Sequence, residues 1–260
     1  MKIVKGKQID YCVFPQWEWP WLIHGITTKK GGLSQGYLAE TNMKEHPEEE
    51  QSILHANRQL FRNEFSLNSE ELFYGEQVHG NKIAVLDANS QRYLPGVDGI
   101  FTSNKGVNLM AFFADCLPLF FLVPRLPAIG LVHAGWRGTL LNIAGQAVNT
   151  IKNKWDLETE DILIGFGPSI GPCCYEVNAD IRGSFLSQNK AFAQAFSGSR
   201  SGHYRFDLKM LNYIQLSECG IPEGNIINNN LCTACERELF YSHRRDNGLT
   251  GRMAALLAIV

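Results

Sequence analysis

Leu109-Met110-Ala111-Phe112-Phe113-Ala114-Asp115-Cys116-Leu117-Pro118-Leu119-Phe120-Phe121-Leu122-Val123 is the longest apolar stretch of the chain, and a single carboxylate interrupts it. It is shorter than the ~20 residues that a membrane-spanning helix requires. Residues 107–113 read instead as a strand, and Ala114-Asp115-Cys116-Leu117-Pro118 as the place where that strand ends. Residues 82–87, 128–133 and 161–166 have the same character: short, apolar, bounded by Gly, Pro or Asp. Helical spacing appears in three other places. Ile53, Leu54, Leu60, Phe61 and Phe65 follow the acidic run Glu48-Glu49-Glu50, which suits a first helical turn. Leu140, Ala144, Ala147, Val148, Ile151 and Trp155 form a second stripe. A third helix is expected from Asp207, a good N-cap, to Gly220. Residues 188–202, rich in Ser, Gln and Ala, read as a helix end and a variable loop.

Strands and helices mix without strict alternation. That pattern predicts an α/β (α+β) protein of layered helices and mixed sheets rather than a parallel barrel. No linker divides residues 1–260, so one domain is expected.

The bulk numbers agree with a globular chain: 45% of the 260 residues are hydrophobic and 19% charged. Lys plus Arg is 24 against Asp plus Glu 26, so no basic surplus exists to drive nonspecific nucleic-acid binding. The first ten residues lack an apolar signal core, and no lipidation or retention motif is present. A cytoplasmic protein with neither membrane nor nucleic-acid partners is therefore expected. Seven cysteines is an odd count for a disulfide framework. In a reducing compartment, a cysteine near histidines reads better as a metal ligand or nucleophile. The sequence does not distinguish a monomer from a homodimer.

Three segments can carry chemistry. They are Gln77-Val78-His79-Gly80, then Ala114-Asp115-Cys116-Leu117-Pro118, then His133-Ala134-Gly135-Trp136-Arg137-Gly138. Each lies at a strand end or a strand-to-helix turn, where polar groups from separate elements converge. Each offers one metal-binding side chain: His79, Cys116 and His133. Two imidazoles and a thiolate leave one tetrahedral position free, the ligand count of a catalytic zinc site. A metal-free Cys-His nucleophile and a merely packed Cys116 are the rival readings. Asp115 reaches the same site only if the chain turns there, as Pro118 suggests. Otherwise it orients a ligand histidine from behind, or simply caps the next turn.

Other polar clusters read less sharply. Cys232-Thr233-Ala234-Cys235 is half a zinc site without a second pair at suitable spacing. Cys173 and Cys174 are adjacent, and packing is favoured over metal for all four. Thr28-Lys29-Lys30-Gly31-Gly32-Leu33-Ser34 is either an anion-holding turn or a plain one. Ser242-His243-Arg244-Arg245-Asp246, with Thr250-Gly251-Arg252, is the densest basic segment. Its arginines suit phosphate or, equally, internal pairing with Asp246 and nearby carbonyls.

Taken in order, these segments resemble the YfiH/YlmD family, the laccase-domain proteins also labelled multicopper polyphenol oxidases. The resemblance includes His24-Gly25 and the 167–177 segment Gly-Pro-Ser-Ile-Gly-Pro-Cys-Cys-Tyr-Glu-Val, and runs from about residue 24 to 255. It implies an α/β/β/α sandwich and a zinc site made of His79, Cys116 and His133, with copper as the alternative ion. It further implies phosphorolysis of adenosine, inosine, guanosine and 5′-methylthioadenosine, and adenosine deamination. The partners would then be a purine nucleoside and phosphate. Lys29, Arg137, Arg244 and Arg245 are the candidate phosphate holders, and Cys116 and Asp115 the candidate catalytic groups. Lys29 or Lys30 stands where the family often has arginine, and His243 where it often has an aromatic. The alternatives are a copper-dependent polyphenol oxidase and a non-catalytic partner of the cell-division or cell-wall machinery. Against the oxidase, the chain has seven histidines and no His-x-His pair.

Overall fold

The apolar run around Asp115 becomes two strands that lie in different sheets. Asn108–Phe113 belongs to a seven-stranded sheet ordered Lys2–Val4, Ile9–Val13, Leu22–Gly31, Met253–Ile259, Asn108–Phe113, Leu72–Gly75, Tyr93–Leu94. Leu117–Val123 belongs to a six-stranded sheet ordered Ile226–Ile227, Leu163–Phe166, Leu117–Val123, Ala128–Ala134, Gly99–Thr102, Ile83–Leu86. Both sheets mix antiparallel neighbours with parallel ones at the edges. The computed structural model that shows this describes residues 1–67 and 72–260.

Why the central strands read as unbroken apolar runs follows from the layering. Strands covered on both faces lose the polar-out alternation of a surface sheet. Side chains still alternate between faces, and the alternation sorts them into separate cores. In Asn108–Phe113, Leu109, Ala111 and Phe113 point into the core between the sheets, against Phe120, Leu122, Ile129 and Leu131. Met110 and Phe112 point outward, with Ala254 and Leu256, onto Phe61 and Phe65. Phe61 lies on helix α1 (Gln51–Glu64). In Leu117–Val123, Leu117, Leu119, Phe121 and Val123 face the third core, which is closed by helices. The order is helix, sheet, sheet, helix.

Helix α2 (Trp136–Leu140) is separated from α3 (Ile143–Trp155) by a break at Leu141 and Asn142. The expected 140–155 stripe therefore starts one helix early. Asn142 sits in the left-handed region and its side chain accepts from the Gly145 amide, starting α3 afresh. Helix α4 (Ala179–Gln188) ends where expected. The residues beyond it are more ordered than a variable loop. They form a 3-10 turn, Lys190–Ala195, and one edge of a three-stranded antiparallel sheet of Glu176–Asn178, His203–Phe206 and Phe196–Arg200. Helix α5 (Leu208–Glu218) begins after Asp207, whose side chain caps the Met210 amide, and Gly220 follows it with φ +85°. Among the described residues, no helix is long and apolar enough to cross a membrane.

Candidate functional site

The switch from one sheet to the other places the site. It occurs at Asp115, whose φ of +85° turns the chain between Phe113 and Leu117. Pro118, expected to make that turn, is instead paired opposite His133 inside the second sheet. The bend leaves Cys116 at the start of Leu117–Val123, beside His133 near the end of the neighbouring Ala128–Ala134.

His79 arrives on a loop held by two fasteners. Gln77 exchanges two hydrogen bonds with the Phe112 backbone, donating to its carbonyl at 2.7 Å and accepting from its amide at 2.8 Å. Asp98 accepts from the Val78, His79 and Gly80 amides at 2.8–3.1 Å. These bonds stabilise His79 in the left-handed region, at φ +61°. Asp98 also lies 2.8 Å from His133 Nδ1, which leaves Nε2 of that ring for the cluster. The sequence reading missed Asp98. Its only signal was an acidic residue between Val97 and Gly99 at the mouth of an apolar strand.

The donor atoms of His79, Cys116 and His133 all lie within 4.8 Å of one another, with Cys116 Sγ 4.0 Å from His79 Nδ1. Burial pushes the Cys116 thiol up, but the charges and hydrogen bonds of His133 and His79 reverse this and bring it down to about 6. Burial likewise opposes charge on His133, yet Cys116 and Asp98 raise it to about 9. The pair thus favours thiolate, the form that binds metal. A glycine makes the gathering sterically feasible: a Cβ at Gly135 would lie 2.6 Å from His79 Nδ1 and 3.0 Å from Cys116 Sγ.

The donor set suits one borderline ion. Ligand distances of about 2.0–2.3 Å need only a small contraction of this cluster, and a carboxylate already orients one imidazole from behind. It does not suit a multicopper array. Among the described residues, two groups of three or more such donors come together, and only this one contains histidine.

The three donors face a cavity of about 330 Å³. Its walls bring Asp115, Arg137 and Arg244 to the same space, with His243 and Arg252 of the same basic segment and with Lys44, which no sequence motif marks. Trp136, Tyr175, Phe112 and Ile170 supply flat apolar surface. Arg137 lies over the Trp136 ring at 4.6 Å, and Arg244 over Tyr175 at 4.9 Å. Such stacking holds a guanidinium in place while leaving N–H groups for a ligand.

Two expected phosphate holders do not reach the cavity. Arg245 spends its fork on Asp246, at 2.8 and 2.7 Å, and on the Thr233 and Phe240 carbonyls. It is an internal strut. Lys29 is absent from the walls, and its turn is no anion cradle. The amides of Gly31, Leu33 and Ser34 already donate to Glu40 Oε2, Asn57 Oδ1 and the Glu40 carbonyl. Asp115 does reach the site, but both its oxygens are engaged, accepting from Thr233 Oγ1 and the Arg244 amide at 2.6 Å each. That is the geometry of a strut holding the Arg244 loop, not of a free proton carrier.

This architecture belongs to a known class. The chain is a member of the family described as multi-copper polyphenol oxidoreductase laccase, whose pattern matches residues 23–260. Among its relatives, purine nucleoside phosphorylase YlmD of Geobacillus stearothermophilus is 37% identical over 244 residues, covering 90% of this chain and 89% of that protein. YlmD of Bacillus subtilis, also named a purine nucleoside phosphorylase, is 33% identical over 246 residues, covering 92% and 88%. The crystal structure of the Geobacillus protein superposes with a TM-score of 0.90 at 34% identity, covering 98% of this chain and 97% of that one.

Proposed function

We propose that this protein is a metal-dependent purine nucleoside phosphorylase that also deaminates adenosine. Its substrates on this reading are adenosine, inosine, guanosine and 5′-methylthioadenosine, and its ion is zinc held by His79, Cys116 and His133. The observation that carries the reading is one cavity in which a His-Cys-His donor set, several cationic side chains and aromatic walls meet. Phosphorolysis needs a dianion placed beside C1′ of a ribose whose bond to N9 of the base is breaking. Arg137, Arg244, Lys44 and Arg252 supply the positive field for phosphate, with Arg137 and Arg244 pre-set by their aromatic partners. Trp136 and Tyr175, each with a guanidinium over one face, line the space that a purine would enter. Asp115 keeps Arg244 in register through the Arg244 amide, so it positions rather than reacts. A zinc ion, when bound, supplies a Lewis acid able to polarise a substrate atom or acidify water.

The test is an adenosine assay with and without phosphate, with products resolved. Adenine plus ribose 1-phosphate, formed only with phosphate, is expected, with inosine as a second product. Full metal loading with no change in any purine nucleoside would overturn the assignment. Inosine alone, independent of phosphate, would leave only the deaminase half standing.

A further inference from the structure

The four remaining clustered cysteines do not all pack as small hydrophobes. Cys173 and Cys235 are exposed and Cys174 half-buried, and only Cys232 is in the core. A tight turn, in which the Cys174 and Tyr175 amides both donate to the Gly171 carbonyl at 3.0 Å, makes the adjacent thiols converge. That turn removes the objection that neighbouring residues face apart. Cys235 Sγ lies 3.5 Å from Cys173 Sγ and 3.4 Å from Cys174 Sγ, and all four sulfurs lie within 4.8 Å of one another. A disulfide would need about 2.05 Å. A tetrahedral ion at about 2.3 Å from each sulfur has sulfur–sulfur edges of about 3.8 Å, a few tenths of an ångström longer than the two short separations and within the 4.8 Å that spans all four.

Cys232 sits in surroundings that favour a thiolate, whereas burial holds Cys173 and Cys174 as thiols until an ion displaces their protons. Cys232 Sγ accepts a hydrogen bond from the Gly171 amide at 3.2 Å, and the Ala234 and Cys235 amides also favour its ionised form. Amides of a Cys-x-x-Cys turn aimed at its first sulfur are the outer-sphere donors that a thiolate ligand requires. Four thiolates around a divalent ion carry a net charge of −2, and two cations stand near. The Lys209 ammonium is electrostatically coupled to Cys232 and Cys173, and is held in place by the Asn229 and Leu231 carbonyls. Arg205 donates to the Cys173 carbonyl.

We propose that Cys173, Cys174, Cys232 and Cys235 form a second metal site, a closed tetrathiolate cage for one zinc-class divalent ion. The ion joins two segments otherwise tied by the Ser169–Cys232 bridge and the Thr233 amide bond to Ser169. Both segments reach the cavity: Tyr175 follows Cys174, and Thr233 holds Asp115. The cage is therefore structural, fastening the wall behind the cavity, and it stands whether or not the proposed activity does. Binding displaces the protons still on the thiols and involves no redox step.

Elemental analysis of the full chain, purified anaerobically, tests this together with cobalt(II) reconstitution. Two equivalents per chain are expected. His79→Ala should retain one, and its cobalt form should show the strong charge-transfer absorption of an all-thiolate tetrahedral site. Cys173→Ser/Cys235→Ser should lose one equivalent and keep the other. If that variant fails to fold, the His79→Ala spectrum decides alone. One equivalent in the wild type that disappears in His79→Ala would overturn the proposal. So would five titratable thiols instead of seven in denaturant without reductant, the mark of a disulfide.

Discussion

The molecule gathers sulfur in two places about one loop apart, and the two differ in every respect that decides chemistry. At His79, Cys116 and His133 there are three donors, two of them imidazoles, and the fourth side is a cavity. At Cys173, Cys174, Cys232 and Cys235 there are four thiols, and the group donating to Cys232 Sγ from behind is a backbone amide rather than a carboxylate. Three ligands with an opening let an ion meet substrate, whereas four ligands close it off. A Cys-x-x-Cys or a lone strand-end histidine says little until its neighbours are counted. Donor number and accessibility separate a reactive centre from a rivet.

Gly135→Ala is the sharpest attack on the open site. The backbone there, φ −82° and ψ 170°, accepts alanine without strain. Only the donor atoms object, because the new Cβ would lie 2.6 Å from His79 Nδ1 and 3.0 Å from Cys116 Sγ. One of the donors must move. Metal affinity and kcat/KM should fall by about 100-fold, the upper end of what disturbed ligand geometry costs, while the thiol cage keeps its ion. Elemental analysis beside nucleoside kinetics reads both. Loss of metal from both clusters would break the comparison, since it would mean that the two sites stand or fall together.

Asp98→Asn is the next step down. The carboxylate holds His133 through Nδ1 and three amides of the His79 loop through both oxygens. An asparagine offers one acceptor and one donor, so at least one of those amides loses its partner. A fall of about 10-fold in metal affinity is expected. His133 should also become easier to deprotonate, because Asp98 is one of the groups raising it. Metal titration by competition with a chelator reads the affinity, and unchanged binding would remove Asp98 from the site's support.

What the sequence showed and what it hid divides along the same line. Apolar runs such as 107–113 and 128–133 were legible because strands buried on both faces need no polar alternation. His79, Cys116 and His133 were legible as residue types at strand ends, and the family resemblance joined them. Asp98 was not, because its role depends on a contact across 35 positions to His133 that no local pattern encodes. Arg244 and Arg245 were indistinguishable as neighbours. Only the fold sends one over Tyr175 to the cavity and the other inward onto Asp246. That the four thiols meet was not legible, because it depends on the fold bringing residues 173–174 against 232–235.

His24 gives the cleanest test, since it is a half-buried imidazole whose neighbours are aromatic rings rather than a thiolate or a carboxylate. Its Nε2 accepts the Phe14 amide at 2.9 Å, and the Phe14 and Trp17 rings pack around it. Burial pushes it down to about 4, whereas buried His133, with Cys116 and Asp98 for company, goes up to about 9. The direction for His24 fixes the sign. Protonation is disfavoured in the folded state, so the neutral ring's contribution is full above pH 6.5 and is lost as pH falls from 6.5 through about 4. A loss of about 2–3 kcal/mol is expected across that window. His24→Gln keeps an acceptor for the Phe14 amide and removes the titration. Near pH 7 it should be about 1 kcal/mol less stable than wild type, from poorer packing. By pH 4 the gap should close or reverse, read by urea unfolding at a series of pH values. A gap independent of pH would mean that His24 is protonated as readily in the fold as outside it. Burial alone would then not separate a core histidine from a ligand, and the contrast with His133 would rest entirely on the latter's partners.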